Sequence, residues 1–151
     1  MTSGNYLIVC DDIREEVGGK KSLIGVYNNE IVCDELPATL SQLCIRACVS
    51  TSSNKPFEKL FFEISLPNQS PIKLACPPET LESMKAETSG DNSEGFSYVM
   101  DMVAAPFQLM AEGKFVVSAF VNNRKRKIGS IRIRKRIAET DTAPRKKLKK
   151  A

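Results

Sequence analysis

Side chains alternate between apolar and polar every second residue through much of this chain, and that period is incompatible with helix. In residues 40–51, LSQLCIRACVST, Leu43, Ile45, Ala47 and Val49 fall on one side and Cys44, Arg46, Cys48 and Ser50 on the other. Residues 57–66, FEKLFFEISL, set Leu60, Phe62, Ile64 and Leu66 against Lys59, Phe61, Glu63 and Ser65. In 113–123, Phe115, Val117, Ala119 and Val121 alternate with Val116, Ser118 and Phe120. In 127–137, Ile131, Ile133 and Lys135 stand opposite Arg132, Arg134 and Arg136. Alternation with one greasy flank describes a strand lying on a core with its other side toward water.

Shorter runs complete the pattern. NYLIVC at 5–10, KSLIGVY at 21–27 and EIVC at 30–33 read as an antiparallel meander. Its turns are the polar connection DDIREEVGGK and Asn28-Asn29, since glycine and asparagine tolerate turn geometry. Pro67, Pro71, Pro77 and Pro78 confine IKLAC to a short or edge strand, because proline lacks the ladder donor. Residues 79–88 are the one helical stretch, and 88–97 reads as a polar loop. Residues 98–110 resume as one or two strands interrupted by Pro106, and 113–137 forms a hairpin joined at NNRKR.

Seven to nine strands with almost no helix predict an all-β, antiparallel β-sandwich. A closed barrel is the rival, but one-sided alternation favours two sheets packed face to face. A chain of 151 residues is one domain's worth. We assign the sandwich domain to residues 1–137 and a disordered basic tail to 138–151, because PRKKLKK has no apolar period.

The chain contains no histidine, which excludes Ser–His–Asp and Cys–His catalysis and every histidine-ligated zinc site. Tryptophan is absent too. Cys10, Cys33, Cys44, Cys48 and Cys76 are odd in number, and no basic-then-apolar leader precedes them. They read as reduced, core-filling thiols of a cytoplasmic protein. No apolar run approaches the roughly 20 residues of a membrane span. Asp11, Asp12, Glu15 and Glu16 cluster in one segment, near Arg14, Lys20 and Lys21. A salt-bridged structural turn is favoured there over a cation site of the C2 type. No catalytic residue, metal site, cofactor or small-molecule substrate is assigned.

Charge is divided along the chain. Residues 1–121 hold 9 Lys and Arg against 16 Asp and Glu, while residues 122–151 hold 13 against 2. Two basic clusters result: Arg124, Lys125, Arg126 and Lys127 at the hairpin tip with Arg132, Arg134 and Arg136 along one face, and Arg145, Lys146 and Lys147 in the tail. They are the candidate contacts for a nucleic-acid backbone or another macromolecule. The competing reading is a solvated face whose arginines pair with the acidic body. Aromatic side chains, which would favour single strands, are missing from residues 122–151.

Residues 9–27, VCDDIREEVGGKKSLIGVY, resemble the opening of a family of bacterial and phage-associated proteins of unknown function. The Leu36-Pro37 step, the strand from Gly113 to Phe115 and the strand from Ile128 to Ile133 continue the resemblance, which spans most of residues 5–134. The resemblance implies a small β-sandwich of the immunoglobulin-like or C2-like kind and names no activity and no site. The functional expectation is a non-enzymatic binding or adaptor module. It contacts a protein partner or a second copy through the basic hairpin and tail or an exposed sheet edge. The alternative is an accessory nucleic-acid-binding protein.

Overall fold

The computed structural model describes residues 4–88 and 95–137. The assigned tail 138–151 and most of the loop at 88–97 lie outside them. The strands in chain order are β1 (Tyr6–Glu15), β2 (Lys21–Val26), β3 (Glu30–Cys33), β4 (Ala38–Leu40), β5 (Leu43–Thr51), β6 (Leu60–Ser65) and β7 (Ile72–Ala75). Helix α1 (Pro78–Thr88) precedes β8 (Phe96–Ala104), β9 (Phe107–Leu109), β10 (Gly113–Val121) and β11 (Arg124–Lys135). Among the described residues the chain is therefore predominantly β, with one short helix.

Two main sheets share one core. The first has the order β2-β1-β5-β8 and the second β3-β11-β10-β6-β7, with β4 and β9 as a small separate ladder. Leu43, Ile45, Ala47 and Val49 of β5 are fully buried, as are Phe115, Val117 and Ala119 of β10. Each set is the apolar half of its alternation. The Phe62 and Tyr98 rings meet across the core with centroids 6.2 Å apart, joining β6 of one sheet to β8 of the other. Burying side chains of this size supplies about 1.5–3 kcal/mol each, which is why the period dictates the layers. The sheets approach closely at one corner. A Cβ on Gly129 of β11 would stand 2.8 Å from the Leu7 side chain of β1, so only glycine fits there.

Three expectations need correction. The meander stops after β2: β3 leaves the first sheet and joins the second, parallel to β11, with Glu30 opposite Arg132 and Cys33 opposite Lys135. The ladders are thus not all antiparallel, because Ile31 and Cys33 bury their side chains in the second sheet's part of the core. The acidic connection is also strand. β1 runs on to Glu15 and pairs with β2 through Glu15 opposite Lys21. Lastly, Phe96 and Ser97, read as loop, begin β8 opposite Thr51 and Ser50.

Candidate binding surfaces

The outward half of each alternation determines what the two sheets offer a partner. On β5 these residues are Cys44, Arg46, Cys48 and Ser50, and register places Ile8 opposite Arg46, with Asp101 beyond it. Arg46 donates from Nε and Nη2 to the two Asp101 carboxylate oxygens, each at 2.7 Å. This fork-to-fork geometry is the strong form of an ion pair. Its guanidinium pKa is raised, chiefly by that hydrogen bonding. Cys10 and Cys44 lie directly opposite each other and are inaccessible to solvent although they face outward. The reason is the β1–β2 hairpin, which bends over them. The Cys44 thiol contacts the Asp11 carbonyl at 3.7 Å, and Lys21 Nζ reaches to 3.9 Å from Asp101. Burial raises the pKa of both thiols. Exposed Tyr6, Val99 and Val103 flank the Arg46–Asp101 pair on the same side of the sheet.

The four outer edges of the two sheets differ. β7 has four residues, includes Lys73 and lies between Pro71 and Pro77. β3 has four residues and begins at Glu30. β2 carries Lys21 and has Gly25 at φ 69°, where the Asp11 carboxylate fills the space a side chain would need. Short length, lysine, proline and irregular backbone all discourage strand addition. β8 has nine residues, FSYVMDMVA, with no proline, glycine or lysine. Its one charge, Asp101, is taken by Arg46, and Val103 is 57% exposed. Among the described residues no strand pairs with its far side.

Of the basic residues named from sequence, the second sheet's outer surface holds Lys125, Lys127, Arg132 and Arg134, in a different arrangement. The turn between β10 and β11 is Asn122-Asn123, at φ 51° and 70°, so residues 124–127 belong to the strand and not to the tip. A bulge follows, where Ser118 pairs with Lys127 and Val117 with Gly129. Alternation along the strand divides the four-residue basic run between the two faces, and the bulge brings Lys125 and Lys127 onto the face of Arg132 and Arg134. Lys125 and Lys127 point outward, while half-buried Arg126 donates to the Ser50 carbonyl of the opposite sheet at 2.6 Å. Arg124 and Arg132 are exposed. Arg134 pairs with Glu30 at 2.9 Å and Arg136 with Asp34 at 2.6 Å. The row Arg132, Arg134, Arg136 therefore has two of its members held by carboxylates near β3. Arg145, Lys146 and Lys147 lie outside the described residues.

Register also assembles a feature that the sequence reading missed. Phe61 of β6 and Phe120 of β10 are direct partners, and their rings stack with centroids 4.5 Å apart and planes 8° from parallel. Lys73 Nζ lies 5.8 Å from the Phe61 ring centre and Lys125 Nζ 5.8 Å from that of Phe120. The outward parity of both phenylalanines is visible in their own segments. Their adjacency is not, since 59 residues of sequence order say nothing of which strand pairs with which.

At the acidic end, Lys21 pairs with Glu15 at 3.2 Å. The Gln42 side-chain amide donates to the Asp11 carbonyl and to Asp12 Oδ1, both at 3.0 Å. The Tyr27 hydroxyl bonds the Asp11 carboxylate, and burial together with that bond pushes its pKa up to about 12. Among the described residues no three His, Cys, Asp or Glu side chains group as metal ligands, and no helix is long and apolar enough to cross a membrane.

A family model described as a family of unknown function, DUF6941, matches residues 5–134. No curated protein and no solved structure matches the chain.

Proposed function

We propose, from the premise that the chain belongs to the family of unknown function DUF6941, that it is a non-enzymatic binding module on an immunoglobulin-like or C2-like β-sandwich. Its protein contact is the β8 edge, and its partner there is a second copy of this chain. The single observation that carries this reading is the contrast among edges: β2, β3 and β7 are each blunted and β8 is not. An open edge adds a strand through main-chain hydrogen bonds. A second β8 suits it because the Arg46–Asp101 pair is closed on itself, so like edges meet without opposed free charge. Pairing two such edges makes one continuous sheet and covers Val99 and Val103. The contact is closed by two-fold symmetry, the commonest arrangement of homo-oligomers.

Light scattering coupled to gel filtration, across a concentration series, tests this. The expected result is a dimer that the double variant Val99→Lys, Val103→Lys converts to monomer with an unchanged circular dichroism spectrum. A chain that stays monomeric at every concentration, or a variant that remains dimeric, defeats the reading.

A further inference from the structure

We infer that the outer surface of the five-stranded sheet binds single-stranded nucleic acid, with bases seated against Phe61 and Phe120 and phosphates met by the surrounding lysines. This surface is separate from the β8 edge, so the two readings stand or fall independently.

Three observations converge on it. The first is the aromatic slab: the parallel Phe61 and Phe120 rings each keep one π-face outside the pair, and a lysine ammonium stands over each. A flat apolar face beside a cation matches the two halves of a nucleotide, a base with a π-face and an anionic phosphate. An ammonium that moves from ring to phosphate exchanges a weak cation–π contact for a charge-assisted one and vacates the ring for a base. The second is a hollow of about 570 Å³ beside Phe61. Leu60, Phe61, Ala75 and Leu81 give it apolar walls, and exposed Lys59 and Lys73 stand at its edge. Its carboxylate, Glu58, is engaged by Lys85 at 2.9 Å. The third is charge. Alternation and register turn Lys73, Lys114, Lys125, Lys127, Arg132 and Arg134 outward on this sheet, against Glu63 and Glu30. Lys125 stands 3.9 Å from Glu63 and Arg134 pairs with Glu30, yet cations outnumber carboxylates, and a net positive face attracts a polyanion.

Single strands are favoured over duplex because stacking on Phe61 and Phe120 needs a base free of its helix, and a duplex hides base faces. Duplex DNA would find only the lysines and arginines.

Fluorescence anisotropy on the full chain distinguishes these cases, using labelled oligothymidine and its duplex with oligoadenine over a salt series. Oligothymidine is expected to bind more tightly than duplex. Phe61→Leu and Phe120→Leu should each weaken it by about 5- to 150-fold with the salt slope unchanged. The double variant Lys73→Gln, Lys125→Gln should flatten the log–log slope by about 1.4, or about 0.7 for each lost phosphate contact. No binding at low salt overturns the inference. So does equal affinity for both probes with the phenylalanine variants unchanged, which leaves attraction by the basic tail alone. Circular dichroism checks that the leucine variants fold. Should they not fold, the lysine variant decides, and an unchanged slope rejects the site.

Discussion

The two sheets are built on the same two-residue period and pack on the same core, yet their outer sides are opposites. On the four-stranded sheet the outward positions are Tyr6, Val99 and Val103 around an Arg46–Asp101 pair that neutralises itself. On the five-stranded sheet they are lysines and arginines around two stacked phenylalanines. Inward residues are interchangeable in kind, since any well-shaped apolar side chain fills a core. Outward residues face no such demand, so the two sides are free to differ. The proposed partners follow that difference, a second copy of the chain on one sheet and a single-stranded polyanion on the other.

The largest expected effect removes the comparison altogether. Phe62→Ala empties the position where the sheets meet at Tyr98 and should cost about 3–5 kcal/mol in urea unfolding, abolishing dimer and oligonucleotide binding together. If one binding activity persisted in a variant so destabilised, that surface would not depend on the shared core.

A smaller effect sharpens the contrast in electrostatics. Arg46→Leu leaves Asp101 without its two 2.7 Å bonds on a side chain only 23% exposed. Discounted for partial solvent screening, the loss should be about 1–2 kcal/mol. Arg134→Leu removes the 2.9 Å contact to Glu30, whose side chain is 36% exposed, and a 3.2 Å bond to the Lys135 carbonyl, and should cost about 0.5–1 kcal/mol. Urea midpoints in the reverse order would mean that the Arg46–Asp101 pair is not the anchor of its face.

The smallest effect is a pH dependence. Burial raises Cys10, Cys33, Cys44, Cys48 and Cys76 above 9.0, and Tyr27 and Tyr98 are pushed up to about 12 by burial and hydrogen bonding. For acids with folded pKa values above the unfolded ones, the folded state binds more protons once the pH passes the unfolded value. Their contribution is therefore complete below about pH 8.5 and declines as pH rises through the folded values. With no histidine, stability should be flat from about pH 6 to 8 and fall above about pH 9. Thermal melts across that range check it, and a slope centred near neutrality would contradict it. Thiol labelling adds the regional comparison. Cys10, Cys44 and Cys48 lie on the outward side of the four-stranded sheet, and the outward positions of the five-stranded sheet carry no cysteine among the described residues. Opening of the β1–β2 hairpin alone should release Cys10 and Cys44 before Cys33 and Cys76.

The inward half of the fold was legible residue by residue. Leu43 through Val49, Leu60 through Leu66 and Phe115 through Val121 bury the side that alternation assigned to the core, because a two-residue period permits only one such assignment. The assignment failed where burial came from another element. Cys44 and Cys48 stand on the polar side of their strand and are buried, as their reading as core-filling thiols expected, but sequence spacing does not reveal that a hairpin folds back over Cys44. The basic run 124–127 looked like one cluster and became two, because strand alternation turns Lys125 and Lys127 outward and Arg126 inward, and the bulge after the run sets those two lysines on the face of Arg132 and Arg134.

Strand period and segregated charge belonged to the sequence alone, and so did the absence of imidazole chemistry. These depend on residue type and near neighbours, which covalent order fixes. The parallel β3–β11 pairing, the open β8 edge and the Phe61–Phe120 stack belonged to the tertiary structure. Each joins residues far apart in the chain, and such contacts are selected by how the whole core closes.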